Sequence, residues 1–414
     1  MSDKIVIVSG VRTPVGRYGG GLRTVEAYDL ASVVLKEALL RAGIEPEQID
    51  EVIMGQSYQN GEYVNIARMA ILNAGWPEEI PGFTIDRRCC TGLEVIRLAA
   101  ALIKNGDAEI VVAGGVESMS NAEFYLPGSL KWGIGGEKGT PRGHGDLSIW
   151  GLPFYDRIQR ARVMSQPEHR YGLLASMMSW AETAAVEENI TREACDQWAY
   201  ESHKKACAAW DTGKFDAEVI PVKVPQRKGD PVTVRMDETP RRDTSVEKLA
   251  KLKPVQGGVC TAGNASSEND GAAAVVIMSA KKAKALGIKP LVSVNAIAAA
   301  GADPTRTHLT VGAAVRKVLD MAQTSLDNID LIEIQEAFAA QVLADLKVMG
   351  VSKQDYHKVN VNGSGISLGH PIGATGVRVL VTLMHEMQRR DAKVGLECIC
   401  GGGGLGIAGI FEKI

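Results

Sequence analysis

The stretch Asp86-Arg87-Arg88-Cys89-Cys90-Thr91-Gly92-Leu93 joins a short apolar segment, residues 81–85, to a strongly helical pattern that runs from Leu93 to Lys104. Cys89 is therefore predicted to lie where a strand-like approach turns into a helix. At that position the unpaired N–H groups and the positive end of the helix dipole would lower the pKa of the Cys89 thiol and favour the thiolate. Cys89 is thus a candidate nucleophile, although a free cysteine is more commonly a buried structural thiol.

The Thr-Gly pair of this stretch recurs at the start of a second predicted helix of the same kind. Thr91-Gly92 opens a predicted helix that leads to Asp107-Ala108 and a strand, and Thr375-Gly376 opens one that leads to Asp391-Ala392 and a strand. Both pairs are separated by 284 positions (375 − 91 and 391 − 107). An Ile-Asp pair before a strand also recurs, 280 positions apart (329 − 49). Several such matches in the same order indicate a duplicated domain.

Predicted strands and helices alternate along both halves. The predicted strands are 4–9, 49–55, 109–115 and 331–334, and the predicted helices are 28–42, 66–74, 93–104 and 313–322. This alternation favours an α/β fold with a covered, largely parallel sheet. Residues 259–279 regain buried-strand character and are expected to complete the first half, as 406–412 completes the second.

The middle of the chain departs from this plan. Residues 126–153 are rich in Gly, Pro and charge, which indicates an irregular excursion, and helices are predicted at 175–189 and 192–212. Three units are therefore expected. They are a first half made of 1–120 plus 259–280, an inserted loop domain at 121–258, and a second half at 281–414.

Composition excludes several classes of function. The chain has 414 residues, 45% of them hydrophobic, which is enough for a large core and more than one domain. A net charge of −3 gives no reason to expect nucleic-acid binding. We expect no membrane span and no signal peptide, because there is no long apolar run and no basic n-region.

The cysteines point to a reducing compartment. Their number, seven, is odd, and their spacing suggests no disulfide framework, so we expect a cytoplasmic protein. Metal binding is not expected, because no CxxC pair or clustered histidines accompany them. Residues 221–253 carry nine Lys/Arg against five Asp/Glu. This excess fits either a solvated loop face or a contact for a phosphate-bearing ligand.

The repeat places two chemically active residues in equivalent positions. Cys89 precedes one Thr-Gly helix, and Gly369-His370-Pro371 precedes the other. A pseudo-twofold axis would bring the two helix starts together and form a Cys–His pair, the working core of many thiol enzymes. Cys400 adds a second thiol before the glycine turn, residues 401–404, whose N–H groups are free to bind an oxyanion. A plain tight turn is the alternative for those glycines.

These residues match a known family. The chain resembles the thiolases, the acetyl-CoA acyltransferases and acetyltransferases, over nearly its whole length. The motifs that carry the resemblance are Arg12-Thr-Pro-Val-Gly, Cys89-Cys-Thr-Gly-Leu, Ala113-Gly-Gly-Val-Glu-Ser-Met-Ser, Thr261-Ala-Gly-Asn-Ala-Ser, Gln335-Glu-Ala-Phe-Ala-Ala-Gln, Asn362-Gly, Leu368-Gly-His-Pro-Ile-Gly-Ala-Thr-Gly and Cys400-Gly-Gly-Gly-Gly-Leu-Gly. The resemblance implies two similar five-stranded halves in an α/β/α/β/α arrangement with an inserted loop domain.

The resemblance also implies roles for the catalytic residues. Cys89 would take the acyl group from a CoA thioester, His370 would take the proton of Cys89, and Cys400 would act as a second acid and base. The N–H groups of Cys89 and Gly402 would hold the oxyanion. Gln335 stands where thiolases usually carry an Asn that positions a catalytic water, and its longer side chain changes that geometry.

Binding residues follow from the same resemblance. The residues expected to contact CoA, which is a substrate and the only small molecule expected besides the acyl group, are Arg241, Leu252, Ala265, Ser266 and Phe338. Those expected to border the acyl pocket are Met177, Thr307 and His308. A homodimer or homotetramer is expected, because thiolases pair through the first half. No other cofactor is expected.

The substrate and the class of enzyme leave alternatives open. Departures from the family pattern at Cys90, Gln335 and Thr307-His308 predict a 3-ketoacyl-CoA that is bulkier or more polar than acetoacetyl-CoA. A condensing enzyme of the 3-ketoacyl synthase type is the alternative enzyme, although such enzymes lack a second catalytic cysteine like Cys400. A non-catalytic relative that binds acyl-CoA is the alternative outside enzymes.

Overall fold

The computed structural model describes residues 4–128, 154–174 and 176–414. Most of the predicted excursion at 126–153 lies outside these residues. The strands are β1 (Ile5–Arg12), β2 (Gly16–Arg17), β3 (Glu51–Gly55), β4 (Gly82–Ile85), β5 (Ile110–Ser118), β6 (Phe124–Tyr125), β7 (Tyr155–Asp156), β8 (Val222–Val224), β9 (Val232–Val234), β10 (Asn269–Ser279), β11 (Val292–Gly301), β12 (Leu331–Ile334), β13 (Val394–Gly401) and β14 (Leu405–Lys413).

Helices alternate with these strands in both halves. They are α1 (Ala27–Ala42), α2 (Ile66–Ala74), α3 (Thr91–Asn105), α4 (Arg157–Val163), α5 (Glu168–Tyr171), α6 (Met178–Glu188), α7 (Arg192–Asp211), α8 (Val246–Ala250), α9 (Ala280–Ala285), α10 (His308–Ala322), α11 (Ala339–Met349), α12 (Gly365–Leu368) and α13 (Ile372–Arg390). Short 3-10 turns lie at 46–48, 119–121, 326–328 and 353–358. Among the helices of the described ranges, no segment combines the length and the apolar character that a membrane span needs.

The main sheet shows the duplication directly. Its strand order is β12-β13-β14-β11-β1-β10-β5-β3-β4. In the first half β3 and β4 flank each other in parallel, β5 lies parallel to β3, and β10 and β1 follow antiparallel. In the second half β12, β13, β14 and β11 repeat the same directions. The equivalent of β4 is only a parallel bridge between Ile332 and Val359, so the fifth predicted strand of this half is reduced to one residue.

The two halves join edge to edge, and helices separate their faces. β1 pairs antiparallel with β11 through residues 5–7 and 292–294. Helices α1 and α2 cover the outer face of the first half, and α10 and α11 cover that of the second. Helices α3 and α13 pack in one apolar cluster with strands of both halves. This arrangement confirms the predicted layered α/β/α/β/α fold. The expectation of a largely parallel sheet is wrong, because five of the eight strand pairings in this order are antiparallel.

The repeated Thr-Gly pairs form the contact between α3 and α13. A Cβ atom built on Gly92 would lie 2.5 Å from the backbone nitrogen of Gly376. The reverse contact, from Gly376 to the backbone of Leu93, is equally close. Only glycine allows two helix backbones to approach in this way. The glycines of the repeat therefore bring the two helix starts, and the residues before them, to one place.

Two boundaries differ from the sequence prediction by five residues or more. The strand predicted over 259–279 begins only at Asn269, because residues 261–264 form a turn in which the Asn264 side chain accepts a hydrogen bond from the Thr261 N–H at 2.8 Å. The helix predicted at 313–322 begins five residues earlier, at His308. Apolar periodicity did not reveal either boundary, since both depend on tertiary contacts.

The inserted segment, residues 121–258, packs its two long helices onto the second half. Helices α6 and α7 lie against α11, and α7 also contacts α12. Ser202 and Trp198 of α7 donate hydrogen bonds to the buried carboxylate of Glu336, at 2.6 and 3.0 Å. This anchorage holds one side of the segment over the edge of the sheet where the strands of the second half end.

Replacing Gly92 with Ala is expected to lower the thermal unfolding midpoint strongly, because the added methyl group would overlap the backbone of α13. The loss of unfolding free energy should reach about 3 kcal/mol or more, the upper range for overpacking. The matched control is Gly61→Ala, whose Cβ would meet only a Glu123 side-chain atom at 3.7 Å. Equal midpoints for the two variants would contradict so close a crossing of α3 and α13.

Candidate active site

A cavity of about 630 Å³ opens where the two halves meet the inserted segment. Cys89, His370, Cys400 and Gly402 all line it. The first comes from the loop before α3, the second from the loop before α13, and the last two from the end of β13 and the glycine turn. The predicted convergence of the two helix starts therefore also brings the candidate catalytic residues together.

Hydrogen bonds hold the loop that carries Cys89. Helix α3 begins at Thr91 with Cys90 as its N-cap, so Cys89 precedes the first turn. The side-chain oxygen of Thr91 accepts a hydrogen bond from the Arg87 N–H at 2.6 Å, and the Thr91 N–H donates to the Arg88 carbonyl at 2.9 Å. Arg88 has a left-handed backbone with φ of 53°. This tight turn aims Cys89 into the cavity.

The expected lowering of the Cys89 pKa is wrong. Burial raises the pKa of this thiol to about 11, although the Gly402 N–H and the charge of Arg88 act in the opposite direction. Cys89 lies two residues before the first residue of α3, and the N–H groups that act to lower its pKa are those of Gly402, in the glycine turn, and of Cys89 itself. At neutral pH Cys89 is therefore a thiol, and it needs a base to become a nucleophile.

His370 has the protonation state that such a base requires. Its Nδ1 lies 2.7 Å from the Thr375 hydroxyl, which itself donates to the Pro371 carbonyl at 2.9 Å. Since that hydroxyl has one proton, it must accept a hydrogen bond from Nδ1–H, which leaves the lone pair on Nε2. Nε2 has no hydrogen-bond partner among the described residues. Burial, followed by the charges of Arg378 and Arg162, lowers the His370 pKa to about 3, so the ring is neutral.

Cys400 lies buried near the end of β13. Burial raises its pKa well above the usual range, and the nearby Asp345, Cys89 and Cys90 add to the effect. The following turn contains Gly403 and Gly404 with φ of 84° and 73°, conformations that favour glycine. The N–H of Gly402 in this turn acts to lower the pKa of Cys89. Cys400 is thus a protonated acid at neutral pH, beside the nucleophile.

Cys90 has a structural place opposite the glycine turn. Its side chain is fully buried and contacts the Ile399 carbonyl at 3.7 Å. A Cβ atom on Gly401 would lie 2.9 Å from the Cys90 sulfur. The sulfur therefore occupies the space that a side chain at position 401 would need, and the two residues suit each other sterically.

Several residues expected to bind CoA line the same cavity. These are Arg241, Ala265, Ser266 and Phe338, together with Met177 of the expected acyl pocket. Ala265 and Phe338 form an antiparallel bridge, and the Ser266 N–H donates to the Ala337 carbonyl at 2.9 Å. The backbone of Arg241 donates to His203 at 3.2 Å. The inserted segment and both halves therefore contribute to one binding surface.

Comparison with known proteins agrees with this site. The model of the thiolase N-terminal domain matches residues 5–281, and that of the thiolase C-terminal domain matches residues 288–413. This chain belongs to the thiolase family. The predicted family and enzyme class, a thiolase-type acyltransferase, are thereby confirmed.

Individual thiolases are similar over the full chain. An acetyl-CoA acetyltransferase of Cupriavidus necator is 47% identical, with 100% of both chains covered. The crystal structure of the Bacillus anthracis acetyl-CoA acetyltransferase has a TM-score of 0.91 at 40% identity, covering 100% of this chain and 99% of that one. Human mitochondrial 3-ketoacyl-CoA thiolase in complex with CoA has a TM-score of 0.89 at 35% identity, covering 100% and 98%.

Some predicted site residues do not line the cavity of this thiolase. Leu252 packs its side chain near Gly263, and Val255 lines the wall instead. Thr307 and His308 are buried at the start of α10, behind the glycine turn. In the first turn of that helix, the Thr310 hydroxyl lies 2.6 Å from the Thr307 carbonyl oxygen and 2.8 Å from that of Leu405, the residue that follows the glycine turn. The prediction that Thr307 and His308 border the acyl pocket is not supported by this arrangement.

Gln335 also lies behind the cavity. Its side chain is fully buried, and its carbonyl oxygen accepts a hydrogen bond from Arg378 at 3.2 Å. Arg378 also faces the buried carboxylates of Glu333 and Glu397, neighbours on β12 and β13, and burial raises the pKa of both well above its usual range. The extra methylene of Gln335 thus brings its amide into this polar cluster rather than to the cavity wall.

The sequence analysis missed several residues of the site. Thr375 entered it only as part of the repeat, although this residue determines the tautomer of His370. Trp180 lies beside the glycine turn, 3.1 Å from where a Cβ on Gly402 would be. Tyr58, Arg88 and Arg162 also line the cavity. The repeated Thr-Gly pair was a usable signal for Thr375, but nothing in the sequence marked the others.

The pH dependence of Cys89 alkylation tests the raised pKa. With a thiol pKa of about 11, iodoacetamide labelling should accelerate about tenfold per pH unit between pH 7 and pH 10, because the thiolate fraction grows in that proportion. Mass spectrometry of the Cys89 peptide gives the rate, with glutathione as the reference thiol. A rate that levels off below pH 8 would contradict the raised pKa of Cys89.

Replacing Thr375 with Val should impair the base. Valine keeps the shape but cannot accept the Nδ1–H of His370, so the tautomer is no longer defined. We expect kcat/KM to fall at least roughly tenfold, part of the roughly 10²- to 10⁴-fold that a positioned base supplies. Thr375→Ser is the matched control, because it keeps the hydroxyl. Equal activity of the Val and Ser variants would show that the hydroxyl does not position His370.

Proposed function

We propose that this thiolase cleaves or forms 3-ketoacyl-CoA through an acyl-enzyme on Cys89. The observation that carries the proposal is the neutral Nε2 of His370, which has no hydrogen-bond partner among the described residues and lies in the cavity that also contains Cys89. A protonated nucleophile and a neutral base in one pocket provide the starting state for nucleophilic acyl transfer. The second acid, Cys400, supplies what carbon–carbon cleavage needs in addition.

Cleavage begins with attack on the 3-keto carbon of the substrate. His370 takes the proton of Cys89 as its sulfur bonds to this carbon, and the oxyanion forms near the N–H groups of Cys89 and Gly402. The bond between C2 and C3 then breaks, and Cys400 gives its proton to the departing carbon of acetyl-CoA. The raised pKa of Cys400 keeps that proton in place until the step occurs.

The second half-reaction releases the acyl group to CoA. The thiolate of Cys400 takes the proton of the incoming CoA thiol, whose sulfur attacks the acyl-enzyme. Cys89 leaves as a thiolate and recovers its proton from the imidazolium of His370. Both cysteines and the histidine return to their starting states, so the steps balance and condensation is their reverse.

CoA would lie along the wall that the inserted segment forms. Arg241 would face the nucleotide end with its phosphates, and Ser266, Ala265 and Phe338 would border the pantetheine arm. The human relative whose structure contains CoA supports this placement by its similarity over the full chain. We assign residues 121–258 to a loop domain. Residues 1–120 and 259–280 form the first half, and residues 281–414 form the second half.

The wider context of the enzyme is also part of the proposal. We expect a homodimer or homotetramer in the cytoplasm, and a 3-ketoacyl-CoA larger or more polar than acetoacetyl-CoA. Gln335 is assigned no contact with the substrate, because its amide binds Arg378 behind the cavity. The position of Cys400 in the cavity disfavours the synthase alternative, and the presence of all three reactive side chains there disfavours a non-catalytic relative.

Acyl-enzyme formation separates the roles of the two cysteines. On incubation with acetyl-CoA, intact-mass spectrometry should show one acetyl group on the wild type and, more slowly, on Cys400→Ala, whose CoA must leave without the Cys400 proton, but none on Cys89→Ala. Thiolysis of 3-ketoacyl-CoA should be lost in both variants, since cleavage needs the proton of Cys400. Cys207→Ala, which changes a half-buried thiol outside the cavity, is the matched control. Acyl transfer by Cys89→Ala would refute the mechanism.

A further inference from the structure

Arg88 is a cationic residue that lines the cavity and directly precedes the nucleophile Cys89 in the sequence. It lines the cavity with Tyr58 and Arg162, and its side chain is half-buried. Its backbone is held at both ends, because the Arg88 N–H donates to Asp86 at 2.7 Å and its carbonyl accepts from the Ser57 hydroxyl at 3.2 Å. The turn that carries Cys89 therefore also fixes the position of the Arg88 Cα atom, from which the side chain extends.

The guanidinium of Arg88 has no acceptor within the part of the chain that the structure describes. Its neighbour Arg87 lies 3.4 Å from Glu94, and Arg162 lies 2.7 Å from Glu268. A partly buried arginine keeps five N–H donors, and leaving them without acceptors is unfavourable. This arginine is therefore available to a ligand that enters the cavity.

A second donor lies in the same region. Tyr58 is buried, and its hydroxyl has no hydrogen-bond partner in the described ranges. Burial raises the Tyr58 pKa, the charge of Glu117 adds to that rise, and the positive charges of Arg162 and Arg88 act against it. Arg88, Arg162 and Tyr58 thus line one region. Glu268 pairs with Arg162, and Glu117 accepts hydrogen bonds from the backbone N–H groups of Ser57, Tyr58 and Gly373, so neither carboxylate binds Arg88.

Four arginines line the cavity, Arg17, Arg88, Arg162 and Arg241. The backbone of Arg241 donates a hydrogen bond to His203, and this is the wall assigned to CoA. Arg88 directly precedes the nucleophile in the chain, and its carbonyl accepts a hydrogen bond from the hydroxyl of Ser57, the neighbour of Tyr58. An anionic group on an acyl chain bound at Cys89 would therefore lie near the cationic side chain of Arg88.

We infer that Arg88 and Tyr58 form a subsite for 3-ketoacyl-CoA esters whose acyl chain ends in a carboxylate. The planar fork of Arg88 matches the two oxygens of a carboxylate, and the phenol of Tyr58 adds a third donor. The inference rests on the proposed thiolase function and adds to it the chemical class of the acyl group. Arg88 is then a residue that determines specificity, next in sequence to the nucleophile.

The test compares two substrates that differ only at the end of the chain. Both 3-ketohexanoyl-CoA and 3-ketoadipyl-CoA carry six-carbon 3-keto chains, the first ending in a methyl group and the second in a carboxylate. The wild type should prefer the diacid in kcat/KM by roughly tenfold or more, the size expected for a charged hydrogen bond. A wild type that prefers the monoacid, or cleaves both equally, overturns the subsite.

Variants then assign the preference to one side chain. Arg88→Met should lower the diacid-to-monoacid ratio by about the same roughly tenfold, whereas Arg88→Lys should keep part of it, because a charge without the fork binds less well. Arg87→Met is the matched control and should keep the wild-type ratio, since Arg87 faces Glu94. An unchanged ratio in Arg88→Met would overturn the role of Arg88, and Tyr58→Phe tests the phenol independently.

Different results would refute the carboxylate subsite and the thiolase mechanism. If the enzyme cleaves 3-ketohexanoyl-CoA but does not favour 3-ketoadipyl-CoA, the carboxylate subsite is wrong and the thiolase mechanism stands. If it cleaves no 3-ketoacyl-CoA and forms no acyl-enzyme, the proposed function is wrong, and the subsite is overturned with it.

Discussion

The backbone contact between Gly92 and Gly376 is the constraint on which the rest of the structure depends. Helices α3 and α13 can approach so closely only because neither position carries a side chain. The approach places the loops before the two helices side by side, and these loops carry Cys89 and His370. One duplicated Thr-Gly pair therefore builds both the central helix layer and the catalytic pocket. The joined edge of β1 and β11 completes the same pseudo-twofold arrangement.

Burial determines the electrostatics of the pocket. It raises the pKa of Cys89 and lowers that of His370, so both side chains are neutral in the resting enzyme. A neutral pair avoids the cost of burying two charges, and the charges arise only when the substrate is attacked. The N–H of Gly402 acts to lower the Cys89 pKa, so it favours the negative charge that develops there.

The predictions from sequence succeeded where the pattern was local or repeated. Strand and helix alternation, the offset of 284 positions and the family motifs identified the fold and placed Cys89, His370, Cys400 and Gly402 in one cavity. The predictions failed where a side chain could bind more than one partner. The side-chain carbonyl of Gln335 accepts a hydrogen bond from Arg378, and His308 is the buried first residue of α10 and lies beside Glu187. Neither partner is near in sequence, so spacing could not reveal the choice.

The amino-acid sequence by itself determined the duplication, the α/β class, the family and the identity of the reactive residues, because these follow from residue types at regular spacing. Only the tertiary structure decided their chemical states. The direction of the Cys89 pKa shift depends on how much water the surrounding residues exclude. The tautomer of His370 depends on the hydrogen bond between Thr375 and Pro371, and the lack of an acceptor for the Arg88 guanidinium among the described residues depends on which carboxylates reach it. Solvation and partner choice are properties of the packed molecule, and no single stretch of the chain contains them.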